Sequence, residues 1–544
     1  MSEIKNTKQQ IRLPLVLAIG IAAGILIGAT FSEKKSSSGS EVFKSLQKFK
    51  EVLLHVDRMY VDEVNTDELV DNAIEHMLKE LDPHTIYIPA KDKVRANEDL
   101  QGNFEGIGVE FNIFQDTIVV VTPLSGGPSE AVGVLSGDKI IKVDDKIVAG
   151  VGFTNRDVQD HLKGPKESEV KISVLRKGAV GLIDFTIIRD RIPQFSVDVS
   201  YMINDDIGYI KVSRFAATTY DEFKIAMNKL KEYGMKQLII DLQGNPGGYM
   251  NHAINIADEL LPDKKKIVYT KGKESKYDTD AFAERVGGFE EGEVIILVNE
   301  GSASASEILA GALQDNDRAL VVGRRSFGKG LVQAPIDLSD GSELRLTISR
   351  YYTPSGRSIQ KPYGKNNEDY AKDLSSRFSH GEFFHADSID FNDSLKYSTS
   401  KGRTVYGGGG IMPDYFVPLD TAINSKYLNL LFYNNAIQEY TFTYAEEYKE
   451  ELENMGYENY YLDFEVNDDM LFDLVKIGEK SGVSPDLQDL EMNKSLIQLH
   501  VKAQIARKIW DNEGFYPIFN QTNEILQQAV TLFGKAEELD QREY

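Results

Sequence analysis

Cysteine is missing from all 544 residues. That absence excludes disulfides, cysteine metal sites, a lipid-modified N-terminal cysteine and a thiol nucleophile. It suits an oxidising compartment without requiring one. Histidine is scarce as well: the 8 histidines are scattered and form no His-Glu-x-x-His, so zinc catalysis has no visible ligands and neither metal nor cofactor is expected. Basic charge is the third shortage. Lys and Arg number 61 against 85 Asp and Glu, a net charge of −24, which argues against nucleic acid as a partner because phosphate binding needs a basic face. What is present is enough for real cores, with 41% hydrophobic residues. The length is that of three or four domains.

One long uncharged run stands near the start. Leu13 to Phe31 covers 19 residues, about 28 Å as a helix and enough to cross a bilayer core. Lys5, Lys8 and Arg12 precede it and favour a cytoplasmic N-terminus, although Lys34 and Lys35 weaken the asymmetry. A cleaved signal peptide is the rival, but the run is long for one and Gly28-Ala29-Thr30 is a poor cleavage site. The expectation is an uncleaved single-pass anchor in a bacterial inner membrane, with the bulk of the chain in the periplasm or another extracytoplasmic space. A Ser-rich linker over 35–40 follows, then a helical stretch from about Glu41 to Leu81. Val52, Leu53, Val56, Met59 and Tyr60 form an i, i+3, i+4 stripe on it, and Asp82-Pro83 ends it.

The chemistry concentrates further along. Gly301 to Asp315 reads GSASASEILAGALQD, and Arg324 to Gly330 reads RRSFGKG. Small residues around Ser304 let a substrate backbone approach, and a helix N-terminus offers unpaired N–H groups to a developing oxyanion. Lys329, flanked by glycines, can be buried, which lowers its pKa and makes it a proton acceptor. A helix over Ala303–Gln314 carries the chain about 16 Å away from Ser304. The apolar run Ala319–Gly323 returns it about the same distance as a strand. Lys329 can therefore come back beside Ser304. Asp315 falls about three turns down the helix and reads as structural.

Rival motifs overlap the same lysine. Gly323 to Lys329 fits G-x-x-x-x-G-K, yet Gly330 stands where a Walker motif needs Ser or Thr. Ser326-x-x-Lys329 fits the penicillin-binding pattern, which would make Ser326 an acyl-transfer nucleophile, but no K-T-G or S-D-N follows. The glycine run Gly407–Gly410 lacks a following Lys-Ser, against phosphate cradling. The plainest alternative makes GSASAS a flexible loop and Lys329 a solvated turn residue.

At these residues the chain resembles the carboxyl-terminal processing peptidases, or tail-specific proteases. The resemblance rests on Ser302–Glu307 (SASASE), Gln314-Asp315, Phe327–Gln333 (FGKGLVQ) and Asp241–Met250 (DLQGNPGGYM), the last departing from the usual pattern in Gln243, where the family has Arg. It implies Ser304 as nucleophile, Lys329 as general base and Gln333 as the residue orienting the lysine, with Ser326 close to the lysine. Gly247 or Gly248, with Ala305, would supply the oxyanion hole. The family also has an N-terminal helical region ending in a motif like Leu81–Thr85 (LDPHT), whose His84 reads as a turn residue satisfied by backbone rather than a catalytic one.

Short apolar runs at Asn103–Phe111, Thr117–Leu124 and Val170–Arg176, a short helix after Pro128 and a turn at Gly137-Asp138 read as a small β domain. It resembles a PDZ domain. Gly106, Ile107, Gly108 and Val109 would form its carboxylate-binding loop, taking a substrate C-terminus as an added strand. Arg176 is similar in place to the family's PDZ arginine that communicates with the active site. Ile207–Val212, Gln237–Leu242 and Val294–Asn299 read as buried strands, with helices at Tyr220–Glu232 and Met250–Leu261 between them. Glu343–Gln360 and Val405–Asp414 match family motifs after the lysine, and 366–404 is a polar, aromatic-containing insertion with no assignable role.

The expected fold is multidomain α+β: a crotonase- or ClpP-like α/β protease core, an inserted PDZ-like domain, an N-terminal membrane helix and a helical C-terminal extension. The expected divisions are a tail at 1–12, the anchor at 13–31, linker and helical region at 32–95, PDZ domain at 96–190, core at 191–420 and extension at 421–544. Ser495–Trp510 has helical apolar spacing and suits packing against the core, with dimerisation or an adaptor as alternatives. The expected activity is endopeptidase cleavage of exported proteins with exposed apolar C-termini. A membrane-tethered PDZ scaffold with an inactive peptidase fold is the alternative, but nucleophile, base and oxyanion glycines are all present.

Overall fold

The computed structural model describes residues 41–124, 126–364, 368–389, 392–420 and 425–541. The apolar run Leu13–Phe31 lies outside them, and among the described residues no helix is long and apolar enough to cross a membrane. Two compact units divide the chain after Leu78. In the first, the single helical stretch expected from Glu41 is two helices, one over 41–59 and one at Thr66–Lys79. The apolar stripe stops at Tyr60, where the first helix ends. Asn65 starts the second helix by accepting the Glu68 N–H on its side chain at 3.3 Å, as an N-cap does.

In the second unit, the strands Val197–Met202, Ile207–Val212, Gln237–Asp241, Val294–Val298, Ala319–Gly323 and Tyr415–Phe416 form one sheet in that order. The first pair is antiparallel and the rest are parallel. The central strands are continuous apolar runs because both faces are covered. Leu238, Ile240, Ile296 and Val321 point to one side, against Phe223, Met227, Ile256, Leu309 and Leu313 of the helices Thr219–Glu232, Met250–Leu260 and Ala305–Asp315. Their neighbours Ile239, Ile295, Leu297 and Val322 point to the other, against Ile525, Leu526, Phe533 and Leu539. The end of the C-terminal extension therefore forms the third layer of the core. The rest of the extension, from Lys426 on, is helical with its own apolar centre around Leu431, Leu474 and Ile505.

A second sheet pairs Ile86–Ile88, Lys266–Gly272 and Leu331–Asp337 with the long strand Glu343–Tyr352. It carries the segment following Lys329. The inserted β domain is antiparallel, in the order Val109–Phe114, Thr117–Pro123, Lys139–Val143, Glu169–Leu175, Leu182–Ile188. Asn103–Gly106 pairs with Asp190–Pro193 where the chain enters and leaves it. Besides the short helix Pro128–Ala131, the domain contains Asn155–Leu162, which apolar periodicity does not reveal because most of its residues are polar. Its sequence signal is the start Thr154-x-x-Asp157, which closes as a reciprocal capping box.

Candidate active site

Ser304 sits between a strand and a helix, at the N-terminus of Ala305–Asp315, with φ 55 and ψ −111. A non-glycine residue with positive φ costs about 1–3 kcal/mol and persists only where its surroundings enforce it. Here Glu307 does so. This wholly buried carboxylate accepts the Ser304 N–H on Oε2 at 2.8 Å. It accepts the Lys329 N–H on the same oxygen at 2.8 Å. The two amide nitrogens are therefore no further apart than twice that distance. The other oxygen takes the Ser326 hydroxyl at 2.5 Å and the Gly328 N–H at 2.7 Å. Tyr351, also buried, donates its hydroxyl to the carbonyls of Ser304 (3.1 Å) and Lys329 (2.6 Å). Both segments are thus pinned to one carboxylate and one phenol.

The Lys329 ammonium donates to Gln333 Oε1 at 2.8 Å. Gln333 in turn donates from Nε2 to the His84 carbonyl. Burial lowers the lysine pKa, with Glu307 and Asp82 opposing it. Burial pushes Glu307 the other way, up to about 7, against the pull of its four donors.

The loop Asp241–Met250 closes over the serine. Asn245 is fully buried; its carbonyl accepts the Ala303 N–H (2.9 Å) and the Ser306 hydroxyl (3.0 Å), and its Nδ2 donates to the Val212 carbonyl (2.9 Å). Gly247 lies so near the nucleophile that a Cβ there would stand 2.7 Å from the Ser304 Cβ. Its N–H, left open by sequence as an oxyanion donor, donates to Asn245 Oδ1 at 2.8 Å. The N–H groups of Gly248 and Ala305 have no hydrogen-bond partner among the described residues. Gln243, the departure from the family pattern, donates to Asp241 at 3.2 Å, and a cation comes from elsewhere: Lys211 reaches Asp241 Oδ1 at 3.0 Å and the Gln243 carbonyl at 2.6 Å.

Ser326 is buried, and besides Glu307 it touches Ile411, whose N–H it accepts at 2.7 Å. Asp315 is remote from the serine. It forms a fully buried ion pair with Arg357 at 2.7 Å and accepts the Ser355 N–H. Arg176 makes its hydrogen bonds inside the β domain, to Asp138 and the Gly133 carbonyl. His84 is more than a turn residue. Its N–H donates to Asp82, its ring meets Tyr370 at 2.6 Å, and burial pushes its pKa down to about 4. Sequence reasoning assigned no role to Glu307, Tyr351 or Tyr370. Only Glu307 left a signal, as the fourth residue of a Ser-x-x-Glu helix start.

Gly106–Val109 lies at the mouth of a groove in the β domain. Gly106 pairs with Asp190, Gly108 has φ 71, and the Ile107 carbonyl is turned inward to Ser129. The groove has a volume of about 340 Å³. The edge strand Val109–Phe114 and the helix Asn155–Leu162 form two walls, with Phe104, Ile107 and Leu162, and Arg95, Glu98 and Asp99 of the helix Ala90–Gln101 form a charged third.

Comparison with known proteins matches residues 206–368 to peptidase family S41, 106–187 to the PDZ domain, and 27–92 to the N-terminal domain of the activating protease CtpB. Residues 427–511 match a family of unknown function. The chain is 36% identical over 351 residues to the carboxy-terminal-processing protease of Bartonella bacilliformis, covering 63% of this chain and 80% of that protein. It is 34% identical over 363 residues to the carboxy-terminal processing protease CtpA of Bacillus subtilis, covering 65% and 76%. It is 32% identical over 329 residues to CtpB of the same organism, covering 60% and 68%. The chain belongs to peptidase family S41, as a C-terminal processing serine peptidase with a PDZ domain.

Proposed function

We propose that Ser304 and Lys329 are the catalytic pair, and that the enzyme cleaves exported proteins whose apolar C-termini the PDZ domain captures. The observation that carries the pair is the single Glu307 oxygen holding the N–H groups of both residues at 2.8 Å. Neutral Lys329 takes the proton from Ser304 Oγ as that oxygen attacks the substrate carbonyl. The N–H groups of Gly248 and Ala305, which have no partner among the described residues, receive the oxyanion. The lysine passes the proton to the departing amine, then draws one from water to release the acyl group. Gln333 keeps the lysine Nζ aimed, and burial lowers the lysine pKa toward working pH.

The PDZ reading is supported by the Val109–Phe114 strand, which stands at the end of its sheet. An incoming chain end can pair along it and bring its carboxylate to Gly106–Val109, with its apolar side chain against Ile107 and Leu162. The layered core suits a crotonase- or ClpP-like architecture with domain divisions near 95, 190 and 420, although 95 falls inside the helix Ala90–Gln101 and the end of the extension packs back onto the core sheet. Leu13–Phe31 would anchor the enzyme in the inner membrane with its catalytic part outside the cytoplasm. The test is cleavage of an unfolded polypeptide ending in apolar residues. Ser304→Ala and Lys329→Ala are each expected to lower the rate at least about a thousandfold with the fold retained. Undiminished cleavage by either variant would sink the assignment.

A further inference from the structure

The segment after Gln360 has no place in the chemistry so far, yet its helix Glu368–Ser379 lies against the lysine loop. Tyr370, Asp373 and Arg377 recur at i, i+3 and i+7 and so share one face. Arg377 donates to the carbonyls of Arg325 (2.7 Å) and Ser326 (3.1 Å). Asp373 takes the Lys361 ammonium at 3.0 Å, and that ammonium lies 3.9 Å over the Phe327 ring and 4.2 Å over Tyr370. Tyr370 itself packs edge-on against Phe327 and against His84. Its hydroxyl meets His84 Nε2 at 2.6 Å. His84 is held from behind by Asp82, which also binds the Thr85 N–H (2.9 Å) and hydroxyl (2.6 Å). The His84 carbonyl in turn accepts from Gln333, whose other amide atom holds Lys329.

We propose that this helix belongs to the working site, and that Tyr370 is a positioning residue that fixes Lys329 through His84 and Gln333. The proposal rests on Lys329 being the base. A glutamine amide rotates freely about its last bond unless both ends are held, and the lysine holds only one. The other end is a backbone carbonyl in the turn Asp82–Thr85, and the Tyr370 hydroxyl fastens the ring of that same residue. The charged groups bearing on the lysine are Glu307, Asp82 and Arg345. Tyr370 adds no charge among them, because burial raises its pKa and keeps it a neutral phenol. Its contribution is therefore geometric, and geometry at the base is felt in the chemical step.

Tyr370→Phe keeps the ring packing and removes only the hydroxyl. It is expected to lower kcat about tenfold on an unfolded polypeptide substrate, with KM within about twofold and the thermal midpoint unchanged. In a Gln333→Ala background the same substitution is expected to change kcat by less than about twofold, because residues acting through one another are not additive. His84→Phe, which keeps the backbone carbonyl and a ring against Tyr370, is expected to reproduce the loss. Wild-type kcat in Tyr370→Phe or in His84→Phe, with Lys329→Ala inactive, overturns the proposal alone. An undiminished tenfold loss in the Gln333→Ala background overturns it too, since Tyr370 would then act elsewhere. An active Lys329→Ala enzyme would overturn the base assignment and this proposal together.

Discussion

Glu307 serves activity and stability in opposite directions. Around its carboxylate stand the N–H groups of Ser304, Gly328 and Lys329 and the Ser326 hydroxyl. All four suit an ionised acceptor, and a protonated carboxyl would bring a further donor into a ring of donors. Yet burial raises its pKa from 4.5 to about 7. Between those values the folded chain keeps a proton that the unfolded chain has released, so stability falls as pH rises through the window and stays at the lower level above it. Acid therefore favours the fold and loosens the loop that carries the lysine. Urea unfolding at pH 5 and pH 8 should show the wild type losing more stability than Glu307→Gln, by on the order of 3 kcal/mol. Equal losses in the two proteins would remove Glu307 as the cause. The strained backbone of Ser304 belongs to the same arrangement, because the carboxylate that holds the Ser304 N–H fixes the turn exposing the hydroxyl.

At the scale of the element, the loop Asp241–Met250 illustrates what the sequence discloses and what it hides. Its strand, Gln237–Asp241, is legible as an apolar run, and its glycines are legible as close-approach positions. The cation is not, because Lys211 lies on the neighbouring strand and meets Asp241 only through parallel pairing of the two. Asp241 is buried, and Tyr209 also donates to it at 2.7 Å. Removing the lysine leaves a buried carboxylate without its counter-charge, a loss of roughly 3 kcal/mol or more. Lys211→Met is therefore expected to lower the thermal midpoint by several degrees and the cleavage rate with it. Adding Gln243→Arg, which supplies a cation on the loop itself, should recover part of both. If the double variant is no better than Lys211→Met, the two positions do not share the task. The same limit applies to Tyr370, which lies 286 residues from His84. Period and spacing report on a segment's own faces, and a contact made by folding leaves no trace in either. Where a segment's environment is uniform, as for the strands Ile207–Val212 and Ala319–Gly323, the pattern alone gives the ends of the element. At Tyr60–Asn65 the apolar stripe stops with Tyr60, and the start of the next helix is marked by the capping side chain of Asn65.

For the whole molecule, the question is how firmly the PDZ domain is held. Its only cluster of buried apolar contacts outside its own core, among the described residues, joins Phe114, Val119 and Val121 to Phe442 of the helix Ala436–Glu447. The rings of Phe114 and Phe442 are 6.1 Å apart. Three polar contacts border them: Gln115 to Glu439 at 3.0 Å, Ser136 to Glu446 at 2.9 Å and Lys508 to Glu110 at 3.4 Å. All three include an exposed partner and so contribute little each. On its other side the domain is tied by Lys163 to Glu98 of the helix Ala90–Gln101 at 2.5 Å. An apolar contact with the extension that rests on one aromatic side chain is of the kind that permits domain movement. Truncating Phe442 removes most of its apolar area, about 3 kcal/mol by analogy with core Phe→Ala changes, which is comparable to all that such a contact can supply. Phe442→Ala is therefore expected to release the PDZ domain without unfolding it. Small-angle scattering should show a larger radius of gyration. Cleavage of a short internal peptide with no PDZ ligand should keep its rate, while cleavage of a polypeptide with an apolar C-terminus should change in KM. An unchanged radius of gyration would mean that the strand pair Asn103–Gly106 and Asp190–Pro193, with the Lys163–Glu98 pair, fixes the domain, and that the extension's contact with it is incidental.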